Sequence, residues 1–482
     1  MLNILIFIAG TALAVQAFIG LTYFISSVWE KGKRATVFGG LQFLGMLGLF
    51  ALFLYLKGSD FFETGPGLVI LVGGVILGAL ACFLLLRRTA PNKRALEGTN
   101  GLVTGEAKRY DEREIVFARN RCLAPGSEQY GIFYREHPEY EEYDAARRQK
   151  GGPLGIPGTI DQPGHGPNVA ATLGSVSIPV YLSAPDKYNP LAHPMVGGKK
   201  AELSPEEATE RVKGYTLNLG ADLLGITELN PSWVYSHRGE IFHKNWEDWG
   251  KEIQLTHRYA VVFAVEMFSK MVAAAPHTPT TIESMRNYAK GASIATQLAA
   301  FIANLGYSAT ANHLRHYDAL LVPLAVDAGL GELGRIGYLV TKELGPRVRL
   351  GAVTTGLPLI PDKPVDIGIE AFCRVCNKCA ICCPSGSIPS GDQAEVNGTL
   401  RWKLNEETCF AFWGKIGTDC NVCMRVCPWS HARTFPHKII VELVSRNVIA
   451  GRLFTVMDDV FYGKRPRPKA PPGWAKFDGE GK

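Results

Sequence analysis

Apolar positions fall along this chain in two regimes. Three long runs, roughly Leu2 to Val28, Val37 to Leu56 and Leu68 to Leu86, open the sequence, each near the ~20 residues needed to cross the hydrocarbon of a bilayer. A cleaved signal peptide accounts for only one such run. Three in succession, with charged punctuation between them, predict a membrane anchor of three helices rather than a buried core helix. From Ala90 onward no run is long and apolar enough to span, and Pro, Gly and charged residues reach the content of a water-facing domain. The boundary is placed between residues 90 and 110.

The charges between the runs orient the anchor. Lys31, Lys33 and Arg34 separate the first two runs and Arg87, Arg88, Lys93 and Arg94 follow the third, whereas the middle connection sets Lys57 against Asp60 and Glu63. The positive-inside rule then puts everything after Arg87 in the cytoplasm, on a multi-pass protein of the cell membrane. No Lys or Arg precedes Lys31 and no twin-arginine pair stands ahead of the first run, so export of a prefolded protein is not signalled.

Beyond the anchor the apolar period shortens. Ala221 to Thr227 reads as a strand, His257 to Ala275 and Ile282 to Leu305 as helices, and Leu320 to Ala328 as a further apolar element, an alternation that predicts an α/β domain. Residues 105–200 are rich in Gly and Pro, as in Lys150-Gly-Gly-Pro-Leu-Gly-Ile-Pro-Gly158. They are expected to form loops over the α/β unit, a lid or substrate channel, rather than a further domain. Gly329-Leu-Gly331-Glu-Leu-Gly334 matches G-x-G-x-x-G, yet near Val353 and Thr354, about 20 residues on, no acid answers it, so nicotinamide binding is rejected.

Composition narrows the chemistry. A chain of 482 residues with 46% hydrophobic positions allows two or three units with ample core. The net charge of +6 is modest and its basic residues are scattered, so nucleic acid is not an expected partner. Of the 11 cysteines, nine fall between Cys373 and Cys427, leaving Cys82 and Cys122 outside, which is a metal-site distribution and not a disulfide framework. Cys373, Cys376, Cys379 and Cys383, followed by Pro384, spell C-x2-C-x2-C-x3-C-P; Cys409, Cys420, Cys423 and Cys427, followed by Pro428, repeat it with a longer first interval. In the crossed pattern of such motifs Cys373, Cys376, Cys379 and Cys427 hold one four-iron cluster, and Cys383, Cys409, Cys420 and Cys423 hold the other. Cys382 is an alternative to Cys383, but only Cys383 has both the spacing and the following proline. Zinc also takes C-x2-C pairs, but it has no need of a fifth to eighth cysteine ending in Cys-Pro. Two such clusters form an electron wire without an open coordination position, so the catalyst has to be something else.

Four further segments precede the cysteine motifs in order: Gly220-Ala-Asp222-Leu-Leu-Gly225-Ile-Thr, Leu305-Gly-Tyr307-Ser-Ala, Ala328-Gly-Leu-Gly-Glu332-Leu-Gly-Arg335 and Gly345-Pro-Arg-Val-Arg349. After them come Cys427-Pro-Trp429-Ser, Arg446-Asn and Asp458-Asp-Val-Phe-Tyr462-Gly. Together they resemble the reductive dehalogenases, over about residues 100 to 480. The resemblance implies a nitroreductase-like α/β unit holding a base-off, cobalamin-type corrinoid, with a ferredoxin-like two-cluster unit packed against it. It also implies the activity: replacement of carbon-bound halogen by hydrogen, or elimination of vicinal halogens, from a small organohalide in respiration. No D-x-H-x-x-G motif for a cobalt-ligating histidine is present, since Asp161-Gln-Pro-Gly164-His165-Gly has the wrong spacing, which fits a family that leaves the lower face of cobalt unligated. The fused anchor departs from the usual pattern of an exported catalytic chain on a separate three-span protein.

A corrinoid leaves the protein to exclude water, position the carbon–halogen bond and deliver one proton. In the family a tyrosine donates that proton and an Arg or Lys beside it stabilises the phenolate or holds departing halide. Tyr288 and Arg335 match these roles by context, Asn312 is a further polar candidate, and corrinoid contacts are assigned to Gly329, Gly331, Pro384 and Ser385. Tyr288 also begins the apolar period Tyr288, Ala292, Ala295, Ala299, Ile302, which suits a packed core ring equally. Arg335 could simply close a turn after Gly334, and Tyr259, Tyr307 and Tyr317 are alternative donors.

The expected organisation is an anchor over 1–95, a corrinoid and substrate domain over 96–355, a ferredoxin-like domain over 356–435 and a tail over 436–482 packing on the catalytic unit. The implied partners are an organohalide, membrane lipid and an electron donor, whether a quinol, a ferredoxin or a membrane complex. Two readings compete. An epoxyqueuosine reductase-like enzyme shares the corrinoid and both clusters but lacks the spans, and a membrane electron-transfer subunit without corrinoid leaves the α/β region unexplained.

Overall fold

The computed structural model describes residues 1–150, 167–182, 194–241, 246–254 and 256–475. By its internal contacts the chain divides into two units, one of Met1–Pro91, Ile367–Cys376 and His431–Arg467, the other of Asn92–Asp366, Asn377–Ser430 and Pro468–Lys482.

In the first unit the three apolar runs are helices α1 (Leu2–Trp29), α2 (Lys33–Gly58) and α3 (Gly65–Leu86), each long and apolar enough to cross a membrane. Even α3, at 22 residues, is about 33 Å long at the α-helical rise, against a hydrocarbon core of ~30 Å. Small residues let α1 and α2 approach: a Cβ on Gly20 would stand 3.3 Å from the Phe43 Cα, and one on Gly39 would stand 3.4 Å from the Phe24 Cα. Two further helices, Phe435–Val444 and Val448–Tyr462, pack with these spans. Asn447 joins them, because its Oδ1 accepts from Ile449 N while its Nδ2 donates to the carbonyls of Leu84 and Arg87, which the end of α3 leaves without helical partners. The segment His431–Arg467 belongs to the same unit as the apolar helices.

The second unit is built on a four-stranded antiparallel sheet. Its strands are β1 (Leu223–Glu228), β2 (Tyr259–Glu266), β3 (Ala309–Asn312) and a last long strand (Val348–Thr355), which lies between β2 and β3. Alternation along β2 fills both faces. Val261, Phe263 and Val265 point to a core shared with Ile294, Leu298 and Ile302 of the 27-residue central helix Thr278–Asn304. Ala260, Val262 and Ala264 point to a second core with Leu324, Ala325 and Val326 of helix Leu321–Asp327. Helix Pro205–Asn218 closes the first face, started by a capping box in which Ser204 accepts from Glu207 N and Glu207 accepts from Ser204 N.

Two sequence expectations change here. The stretch His257 to Ala275, read as helical, carries strand β2, because a run buried on both faces has no period of its own and its Val, Phe and Tyr content decides for strand. The region before the sheet, expected to be loops, contains helices Val116–Cys122, Glu128–Glu136, Glu141–Lys150 and Pro167–Leu182, the last lying against the central helix. Gly151 to Gly158 and Asp161 to His165 lie outside the described residues.

Candidate active site

The cysteine motifs fold as two short helices that lie together, Lys378–Cys382 and Val422–Val426. Cys383, Cys409, Cys420 and Cys423 line one cavity, walled by Ile336, Tyr338, Phe412, Trp413 and Val422, with Pro384 and Ser385 also at its edge. Cys382 is not among the residues lining this cavity and packs on the Ile416, Cys420, Val422 and Val426 cluster beside it. Burial opposes ionisation of Cys383, yet the Ser385 hydroxyl, 3.4 Å from its sulfur, and the N–H groups of Ser385, Ser387 and Ile388 outweigh it and bring the thiol below its ordinary value. The other three go the opposite way. Burial first, then the charge of neighbouring cysteines, pushes Cys409 up to about 11, Cys420 up to about 12 and Cys423 well above the ordinary value. Four thiols in one apolar cavity, three of them raised by burial and by their neighbours' charge and the fourth lowered by N–H groups aimed at it, suit a cationic iron–sulfur cluster that would neutralise them. Of the remaining cysteines in the motifs, Cys373 and Cys376 are on helix Ile369–Cys376 of the first unit, and Cys379 and Cys427 belong to the second.

A loop ties this cavity to the central helix. Asp419 accepts from Thr281 Oγ1 at 2.9 Å and from Ser284 Oγ at 2.5 Å, and its own N–H donates to Thr281 Oγ1. The same carboxylate pairs with Arg349 at 3.3 Å, whose Nη2 also donates to Ser284 Oγ at 2.7 Å. One turn along the helix is Tyr288, with the Arg349 guanidinium 5.3 Å from its ring centroid. Tyr338 is a wall of the cysteine cavity; the charges of Cys423, Cys409, Arg349 and Tyr288 influence its phenol, and those of Tyr288 and Arg349 influence that of Tyr317. Burial raises both phenols, Tyr317 and Tyr338, well above the ordinary tyrosine value. Tyr288, Tyr317, Tyr338 and Arg349 each keep some accessible surface. Arg349 Nε, Asn287 Oδ1 and His313 Nε2 are buried without a hydrogen-bond partner among the described residues. Orphaned buried groups of this kind are costly, and a bound molecule rich in amide and phosphate groups, as a corrinoid is, would satisfy them.

The cation beside Tyr288 is therefore Arg349 and not Arg335. Arg335 is 2% exposed, donates from Nη1 to the carbonyls of Pro389 and Gly391 at 2.8 and 2.7 Å, and lies over Trp402 at 4.7 Å, which is the work of a structural arginine. Asn312 is fully buried on β3, its Oδ1 accepting from Asp318 N at 2.7 Å and its Nδ2 donating to Thr310 O. Gly329 and Gly331 have packing reasons of their own, since a Cβ on either would strike a backbone carbonyl, that of Lys363 or of Val340. Strands β4 (Glu332–Leu333) and β5 (Leu339–Val340) make this glycine-rich stretch a hairpin rather than the strand-to-helix turn a dinucleotide needs. Of the alternative tyrosines, Tyr259 and Tyr307 pack on the first core, Tyr307 donating to Ala201 O. Arg349 was visible in the sequence only as the end of a motif; nothing in the local pattern separates it from Arg347, which bonds the carbonyls of Met267 and Ser430.

No family model matches the chain. It is 33% identical over 279 residues to the tetrachloroethene reductive dehalogenase of Desulfitobacterium hafniense, covering 49% of this chain and 50% of that protein. It is 32% identical over 292 residues to the tetrachloroethene reductive dehalogenase of Sulfurospirillum multivorans, covering 54% of this chain and 58% of that one. A solved reductive dehalogenase, described as performing B12-dependent dehalogenation, matches with a TM-score of 0.59 at 26% identity over 78% of this chain and 49% of its own. The chain thus spans about half the length of the curated relatives it matches.

Proposed function

We propose that this chain, a member of the reductive dehalogenase family by these likenesses in sequence and fold, removes halogen from small organohalides by the balance R–X + 2e⁻ + H⁺ → R–H + X⁻. The observation that carries this reading is the path from the cysteine cavity through Asp419, which lines it, to the Arg349–Tyr288 pair, an electron source next to a proton source. Cys383, Cys409, Cys420 and Cys423 would hold one four-iron cluster, and the crossed spacing of the motifs assigns Cys373, Cys376, Cys379 and Cys427 to a second. A base-off corrinoid, when bound, supplies the cobalt-centred reduction of the carbon–halogen bond. In the nitroreductase-like unit Arg349 Nε, Asn287 Oδ1 and His313 Nε2, each buried without a hydrogen-bond partner among the described residues, would meet its polar periphery.

In this reading Tyr288 gives its phenolic proton to the carbon that loses halogen, and Arg349 stabilises the phenolate that remains, held in place by Asp419 and Ser284. The three apolar helices anchor the enzyme, and the outward stripe Ile449, Leu453, Val456 and Val460 extends the lipid contact beyond the spans. Electrons arrive from a donor at or near the membrane, a quinol, a ferredoxin or a membrane complex, and the charge bias of the anchor puts the catalytic unit in the cytoplasm.

The test is metal content and turnover of the detergent-purified chain, made anaerobically with corrinoid supplied. About one cobalt and about eight irons per chain, with halide release from tetrachloroethene or a bromophenol under a reduced viologen dye, are expected. Tyr288→Phe should keep the metals and lose turnover by about 10²- to 10⁴-fold. Iron without cobalt after competent loading, or full turnover in Tyr288→Phe, overturns the assignment.

A further inference from the structure

Where α1 leaves the apolar segment, the first unit assembles a group of side chains that the dehalogenation chemistry does not use. Glu30, directly after α1, meets His431 and His437, and the ligand atoms these three offer all lie within 4.8 Å of one another. The side chains of Glu30 and His437 are 6% and 8% exposed, and His431, at 21%, leaves a path from solvent. The two imidazoles stack, with centroids 4.9 Å apart.

From this we infer a binding site for a divalent transition-metal ion of the zinc type, with Glu30, His431 and His437 as its ligands. Three features carry it. Glu30 Oε1 stands 3.5 Å from His437 Nδ1, long for a hydrogen bond, but close to the edge of a tetrahedron of donors set about 2.0–2.1 Å from one zinc ion, roughly 3.4 Å. Each imidazole is also held through a ring nitrogen: His431 Nε2 meets Asp458 Oδ1 at 2.6 Å, and His437, whose Nδ1 faces Glu30, meets the Tyr462 hydroxyl through Nε2 at 3.0 Å. That is how metal-binding histidines are oriented, most often with a carboxylate behind one of them. Finally, Glu30 and Asp458 bring two negative charges to a largely buried spot, matching a 2+ ion, and two imidazoles with one carboxylate favour zinc over magnesium or calcium. The Thr434 hydroxyl, 2.7 Å from His437 Nδ1, turns aside by one side-chain rotation when the ion takes that lone pair. The ion clips the end of the first membrane helix to the helices Phe435–Val444 and Val448–Tyr462.

The experiment is elemental analysis of the full chain in detergent, equilibrated with micromolar zinc and freed of excess, with iron measured in the same samples. About one zinc per chain is expected in the wild type. It should be absent in Glu30→Gln and in His437→Gln while the iron content is unchanged, and Asp458→Asn should weaken zinc binding by about 10- to 100-fold against a competing chelator. Iron reports that each variant has folded, and should Glu30→Gln lose it, His431→Asn supplies the same comparison. Iron-replete protein that takes up no zinc overturns the site, as does zinc retained at wild-type affinity in iron-replete Glu30→Gln or His431→Asn. Cobalt content and halide release read the dehalogenase assignment separately, so either can fail alone.

Discussion

Replacing Arg349 by Met separates the two things this arginine is held to do. Its guanidinium pairs with Asp419 at 3.3 Å, and Asp419 is 3% exposed. Removing one partner of a buried pair strands the other charge and costs about 3–5 kcal/mol. The lower figure applies here, because the Thr281 and Ser284 hydroxyls still bond the carboxylate. That loss should be largely recovered in Arg349→Met/Asp419→Asn, which leaves no stranded charge. Turnover should not recover. At 5.3 Å from the Tyr288 ring, with an effective dielectric of about 20, the cation is worth about 3 kcal/mol to charge developing on the phenol, or about a hundredfold in rate. The assay pairs thermal inactivation midpoints with halide release per cobalt and iron, for both single variants and the double. A double variant that regains stability and wild-type turnover together would refute the pairing of Arg349 with Tyr288 and leave the arginine a purely structural role.

The remaining predictions concern other parts of the molecule. Cys383→Ser should lose about four irons, one cluster's worth, while Cys382→Ser keeps the full complement; equal loss in both would mean that the cavity does not select its ligand. Tyr259→Phe and Tyr307→Phe should turn over at wild-type rates, since both rings pack on the core away from Arg349. Burial pushes the His313 imidazole down to about 4 from an ordinary value of 6.5, so the unfolded chain takes up its proton first. The stability this contributes is complete above about pH 6.5 and is lost as pH falls toward 4, up to about 3 kcal/mol. A pH series of unfolding midpoints should therefore flatten over that window in His313→Gln. A reporter fused to the C-terminus should be active in the cytoplasm, and activity only outside the cell membrane would reverse the facing drawn from the anchor's charges.

The sequence by itself determined what depends on spacing within one segment. A helix satisfies its own backbone, so apolar runs of the right length predict helices able to cross a membrane wherever the rest of the chain lies, and α1, α2 and α3, each long and apolar enough to do so, coincide with the three runs. Three thiolates of a cubane can come from one short loop, so C-x2-C-x2-C-x3-C-P points to its chemistry before any fold is known. The tertiary structure decided whatever depends on partners distant in the chain. His257 to Ala275 hides strand β2 because both its faces are covered, which erases the period that would have identified it. Arg335 and Arg349 look alike in the sequence, and only the register of the last strand against the central helix brings one onto Tyr288, while the hairpin turns the other onto Trp402. Glu30 meets His431 and His437 across some 400 residues of chain, a meeting that no local pattern encodes, because packing free energy is summed over neighbours in space rather than in sequence.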